Sequence, residues 1–133
     1  MEFPEKKALS AVRYDHAEEC FEAAKNLVLS GQYKSAANRL YYAVFHAMRA
    51  VLAFDGIDMK HHSGIISEFR KRYIKSGVFS KSLSNTISIA FDMRTGSDYD
   101  DHYIIVKSEV DELLTDAETF LKDIKEYIDS RNQ

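Results

Sequence analysis

The stretch from Tyr33 to Phe54, YKSAANRLYYAVFHAMRAVLAF, contains neither glycine nor proline. Ala37, Leu40, Tyr41, Val44, Met48, Val51 and Leu52 recur in it at three- and four-residue intervals. That spacing puts one apolar stripe on a long helix. Asp55-Gly56-Ile57-Asp58 ends it. Arg39, Tyr42, His46 and Arg49 follow one another at steps of three, four and three residues on the side roughly opposite Leu40, Val44 and Met48. Ala36, Ala43, Ala47 and Ala50 fall between the two stripes. A solvated helix face is ordinarily rich in Glu and Lys. Two arginines, a tyrosine and a histidine, flanked by small side chains, instead suit a partner helix or a phosphate-bearing ligand. The plain alternative is a wet face whose arginines lay their stems along it.

The same periodicity extends in both directions. A first helix is predicted from about Pro4 or Lys7 to Leu29, with Leu9, Ala17, Cys20, Ala24 and Leu27 on one stripe and Gly31 placed to end it. A third, shorter helix fits Ser63–Ile74, anchored by Ile66, Phe69 and Tyr73. A fourth fits Lys81–Arg94, with Leu83, Ile87 and Ala90 in register and Gly96 closing it. Asp98-Tyr99-Asp100-Asp101 is expected as an acidic loop, with Asp100 or Asp101 capping the last helix. That helix is predicted from about His102 to Ile128, on the stripe Val106, Val110, Leu113, Ala117, Phe120, Leu121, Ile124 and Ile128, with the residues after it frayed. Short connections favour antiparallel neighbours. The expected fold is all-α: one domain over residues 1–133, an up-and-down antiparallel bundle of four main helices plus one shorter helix.

Composition agrees and narrows the function. One proline and five glycines among 133 residues are too few for a β-sandwich. The net charge of −3 argues against a general nucleic-acid coat, though not against a local basic site. Cys20 is the only cysteine, which excludes an intrachain disulfide and a cysteine-rich zinc site, and its place on the apolar stripe makes it an inert core residue. The histidines at 46, 61, 62 and 102 match no metal-ligand spacing, so neither metal nor cofactor is expected. No Gly-rich phosphate loop or nucleophile elbow is present. The first seven residues hold no apolar run of the secretory type, and no apolar stretch approaches the ~20 residues of a membrane span. A cytoplasmic protein without a membrane segment is the expectation.

Arg94 stands out. Four residues beyond Ala90, it continues the stripe of the fourth helix and so points toward the bundle. A half-buried arginine needs partners. Asp98, Asp100 and Asp101 lie close in sequence and could hold it as a structural pair. The sharper reading is a planar clamp for phosphate.

The segment Ala36 to Ala50, with its double tyrosine and histidine, resembles the signature helix of the HEPN family, the higher eukaryotes and prokaryotes nucleotide-binding domain. His62-Ser63-Gly64, Arg94 with Asp98-Tyr99, and Ala117-x-x-Phe120-Leu121 agree with it, so the resemblance covers about Ala8 to Ile128. It implies an up-and-down helical bundle, commonly a homodimer. It also implies a small prokaryotic protein made beside a minimal nucleotidyltransferase in a toxin–antitoxin-like pair. Many members are metal-independent endoribonucleases, built on an arginine and a histidine a few residues later, with the site formed across the dimer. Here Tyr99 is the fifth residue after Arg94, and His102 follows with seven residues between, a longer spacing than the family's. Tyrosine, with a reference pKa of about 10, is a poor base at neutral pH. The leading expectation is therefore a binding module that forms a homodimer, pairs with a nucleotidyltransferase and contacts nucleotide or RNA. Its site would be Arg94, Asp98 and Tyr99, with Arg39, Tyr42, His46 and Arg49 second. An endoribonuclease toxin using Arg94 and His102 is the alternative, and a structural dimerisation domain the third.

Overall fold

A computed structural model describes residues 2–133; Met1 lies outside the described residues. Five α-helices follow one another: α1 (Phe3–Leu29), α2 (Tyr33–Leu52), α3 (His62–Phe69), α4 (Lys81–Tyr99) and α5 (Lys107–Arg131). A 3-10 turn at Ala53–Asp55 extends α2, and a π-helical turn at Arg70–Ile74 extends α3. The described residues hold no strand, and the all-helical bundle expected from the periodicity is the one observed.

Helix α2 is the axis of the bundle and packs against α1, α3, α4 and α5. Its whole apolar stripe is buried, and Ala36, Ala43, Ala47 and Ala50 expose no surface either. The alanines therefore let neighbouring helices of the same chain approach closely, and the room expected for a partner is filled from within. Between α1 and α2 the chain turns through a Schellman arrangement. Gly31 sits at φ 76°, its N–H donates to Val28 O at 3.0 Å, and the Gln32 N–H donates to Leu27 O at 2.9 Å. On α1, Ala17, Cys20 and Ala24 are buried as the stripe predicts. Leu9 and Leu27 reach only the rim, while Ser10, Arg13, Tyr14, Phe21 and Val28 complete the inner face.

The C-terminal half departs from the sequence reading in three ways. First, Gly96 does not close α4. The helix runs through it to Tyr99, so Asp98 and Tyr99 are helical and Arg94 stands more than a turn inside the end. Gly96 serves close packing instead: a Cβ there would come within 2.5 Å of the Tyr103 ring, which folds back onto the helix. Second, α5 begins at Lys107, with Val106 as N-cap residue. Asp100 bends the preceding link rather than capping α5, its Oδ1 accepting from the His102 N–H at 2.9 Å. Third, α5 continues to Arg131 instead of fraying after Ile128. The Arg131 guanidinium lies 4.8 Å from the centre of the Phe54 ring and donates to Tyr127 Oη at 2.8 Å.

Candidate functional site

The polar stripe of α2 stays half-buried along its length, because α1, α3 and α4 rise on either side of it. Tyr42 is its hub. The Arg39 guanidinium lies 5.1 Å from the Tyr42 ring centre and donates to Asn38 Oδ1 through Nε and Nη2. Arg94 crosses from α4 to the same ring, at 5.4 Å, and to the neighbouring Tyr41 ring, at 5.0 Å. The stripe Leu83, Ile87, Ala90 aims Arg94 there, as the spacing predicts. Asp98, one turn on, brings Oδ2 to 3.1 Å from Arg94 Nε, but off the N–H direction. The pair is therefore ionic, and the Nε N–H is left without a hydrogen-bond acceptor.

The third wall is His62, the first residue of α3. Its Nδ1 lies 2.9 Å from the Tyr41 hydroxyl, and its ring stacks on Phe45 with centres 4.0 Å apart. On the far side of Tyr42, His46 meets His16 of α1, rings 5.7 Å apart, and Arg49, whose Nη1 lies 3.4 Å from His46 Nδ1. Arg49 and the buried Arg13 both reach Asp58, at 3.5 Å. Beside Arg39, the side chains of Lys34, Ser35, Asn38, Ser97 and Asp98 line an open polar cleft.

Electrostatics follow from this crowding. Burial, then Arg49, His16, Arg39 and His62, push His46 down to about 4. Burial, then Arg94 and Arg49, also hold His62 below the usual histidine range. Burial pushes the Tyr41 hydroxyl up to about 12, so it stays protonated. The site thus gathers Arg39, Arg49 and Arg94 around neutral imidazoles, with Asp58 and Asp98 the carboxylates paired to its arginines. A chain of net charge −3 carries a locally basic, aromatic-floored face. Such a face can hold phosphate on a guanidinium fork and leave imidazole nitrogens for neutral donors or acceptors.

The sequence profile of the HEPN domain matches residues 11–127. The chain belongs to the HEPN domain family. Among its relatives is a Methanocaldococcus jannaschii protein named "Putative toxin MJ0142", 36% identical over 118 residues, 89% of this chain and 80% of the relative. A Thermotoga maritima protein, named only as a UPF0332 protein, is 32% identical over 113 residues, 85% of this chain and 86% of the relative. A solved structure described as an archaeal HEPN homologue superposes with a TM-score of 0.63 over 90% of this chain and 97% of its own, at 20% identity, a likeness of fold.

In this HEPN domain most of the residues that the sequence singles out lie on one face. Arg39, Tyr42, His46 and Arg49 from α2 join Arg94 and Asp98 from α4. Tyr99 and His102 stand apart. Tyr99 is 80% exposed at the end of α4, and His102 is exposed on the link to α5. Among the described residues no hydrogen bond, ion pair or ring contact joins either to Arg94. His62 and Tyr41 also belong to this face, though no helical spacing points to them as site residues. Tyr41 reads as core from its spacing, and it is core, yet its hydroxyl reaches the site. His62 carried a signal, the His62-Ser63-Gly64 triplet, but only tertiary packing brings it to Arg94's tyrosines.

No helix among the described residues is long and apolar enough to cross a membrane. Nor does any cluster of three or more His, Cys, Asp or Glu there have the arrangement to hold a metal ion.

Proposed function

We propose that this HEPN domain is a binding module for a phosphate-bearing ligand, RNA or nucleotide, with Arg94 as the phosphate contact. It works beside a minimal nucleotidyltransferase in a toxin–antitoxin-like pair. The observation that carries this reading is the state of Arg94. Its guanidinium lies 5.0 and 5.4 Å from the centres of two tyrosine rings, its one carboxylate partner is misaligned, and its Nε N–H is unmatched. Arg13 has an unmatched Nε as well, but its Nη1 is tied to the Arg49 and Ile57 carbonyls, whereas Arg94 is held only by the two rings and the misaligned carboxylate. Arg39 and Arg49 on the same face extend the positive surface along α2. The relative named as a toxin supports a role in such a pair. A homodimer, which is common in the HEPN family, is part of the proposal.

Binding is favoured over RNA cleavage because the residue expected as acid or base, His102, stands on the exposed link without a contact to Arg94. The test follows the histidine ring protons by NMR while a short single-stranded RNA is added. His46 and His62 are expected to shift, and in Arg94→Ala to need a higher RNA concentration for the same shift. Unperturbed His46 and His62 signals at saturating RNA overturn the assignment. RNA cleaved by the wild type, and spared by both Arg94→Ala and His102→Ala, would replace it with the endoribonuclease reading.

A further inference from the structure

His62 is not part of the arginine-led site that the sequence singles out, yet its position relative to Arg94 is specific. Both are docked on the same two rings. The His62 ring centre is 5.8 Å from Tyr41 and 5.8 Å from Tyr42, and the Arg94 guanidinium is 5.0 and 5.4 Å from them. Nδ1 of His62 is engaged by the Tyr41 hydroxyl, and stacking on Phe45 fixes the plane of the ring. Nε2 has no protein partner and is not fully buried, on a residue that is itself half-buried. An imidazole held at one nitrogen by a buried tyrosine and open at the other is the arrangement of a positioned contact residue.

We propose that His62 Nε2 contacts the ribose 2′-hydroxyl adjoining the phosphate held by Arg94, which makes this site selective for RNA over DNA. Tyr41 is the positioning residue that orients the ring. The inference rests on the phosphate-binding reading of Arg94. Burial and the nearby Arg94 and Arg49 keep the imidazole neutral, and a neutral imidazole suits a hydroxyl better than a second phosphate. A hydroxyl can donate or accept, so it pairs with Nε2 in either tautomer. The 2′-hydroxyl is also the group by which a protein tells the two nucleic acids apart.

The test measures the affinity of a short single-stranded RNA and of the DNA of the same sequence for five proteins. In wild type, RNA is expected to bind about tenfold tighter than DNA, the worth of one partly exposed hydrogen bond. His62→Asn keeps an amide near the Nδ1 position and deletes Nε2. It is expected to bind RNA as weakly as DNA, with the DNA affinity unchanged. Tyr41→Phe frees the ring and is expected to narrow the preference, while Arg94→Ala weakens both ligands. A preference that survives in His62→Asn overturns the inference. So does equal binding of the two ligands by a wild type that still depends on Arg94, and that result leaves the phosphate-binding reading standing. Failure of wild type to bind either ligand overturns both. Thermal melts of each variant identify any protein that has lost its fold, and His62→Gln, which retains a polar group near Nε2, is expected to restore part of the preference.

Discussion

Arg94 was legible in the sequence because it continues a four-residue stripe, and a cation on an apolar stripe must find something to face. What it faces was not legible, since Tyr41, Tyr42 and His62 come from other helices. Its contacts divide into two cation–π interactions and an imperfect helical ion pair. The former are worth about 0.5–2 kcal/mol each and the latter about 0.3–0.5 kcal/mol. Replacement by Ala is expected to lower stability by about 1–4 kcal/mol in chemical denaturation and to weaken ligand binding. Arg94→Lys is expected to fold more stably than Ala yet still bind poorly, because the planar fork is gone. His46 offers a pH prediction. Its folded value of about 4 lies below the usual 6.5, so between those values the unfolded chain binds more protons than the folded one. Its contribution to stability is complete above about pH 6.5 and fades as the pH falls toward 4. Replacing His46 by Gln is expected to flatten the stability-versus-pH curve over that window by about 2 kcal/mol relative to wild type. Parallel curves for the two proteins would contradict the assignment.

At the scale of elements, the periodic helices were readable and the junctions were not. Helix α2 needed only its own spacing, because packing on every side rewards the same apolar stripe. Gly96 was misread because glycine ends helices often, yet here it leaves space for a ring returning from the α4–α5 link. That space is testable by a double-mutant cycle. Gly96→Ala is expected to destabilise the wild type by about 1 kcal/mol, since Tyr103 must move. In a Tyr103→Ala background the same change is expected to stabilise by up to about 1 kcal/mol through helix propensity. The same sign in both backgrounds would remove Tyr103 as the reason for the glycine. Arg13 was missed for a related reason: a charged residue on α1 reads as surface. In fact it is 4% exposed, and its Nη1 donates to Arg49 O at 3.0 Å and Ile57 O at 3.4 Å, tying α1 to the segment after α2. Its removal leaves Ile57 O without that donor, while Arg49 O keeps the Ala53 N–H, and loosens Asp58. Arg13→Ala is expected to cost about 2–4 kcal/mol in denaturant unfolding.

Across the whole molecule, one hydrophobic core spans all five helices and the basic side chains are unevenly spread. The core was visible in the sequence, because apolar spacing repeats on every long helix. The α2 half of the basic face was visible too, as the stripe Arg39, Tyr42, His46 and Arg49; that Arg94 joins it from α4 was not, because no spacing within one helix relates two helices. The proposed homodimer is expected to sediment at twice the 15.3 kDa chain mass at micromolar concentration. A clean monomer would remove the dimer and leave the fold untouched. A fold held by this core alone is expected to melt at the same temperature with and without chelator and reductant, and a large drop with chelator would point to a structural metal. The decisive quantity is the salt dependence of RNA binding, because phosphate contacts release counterions and base contacts do not. Fluorescence anisotropy of a labelled single-stranded RNA across a salt series should show wild type losing affinity steeply as salt rises. Arg94→Ala should bind more weakly throughout, with a log–log slope shallower by about one phosphate's worth. Equal affinities and equal slopes for the two proteins would contradict the placing of phosphate on Arg94.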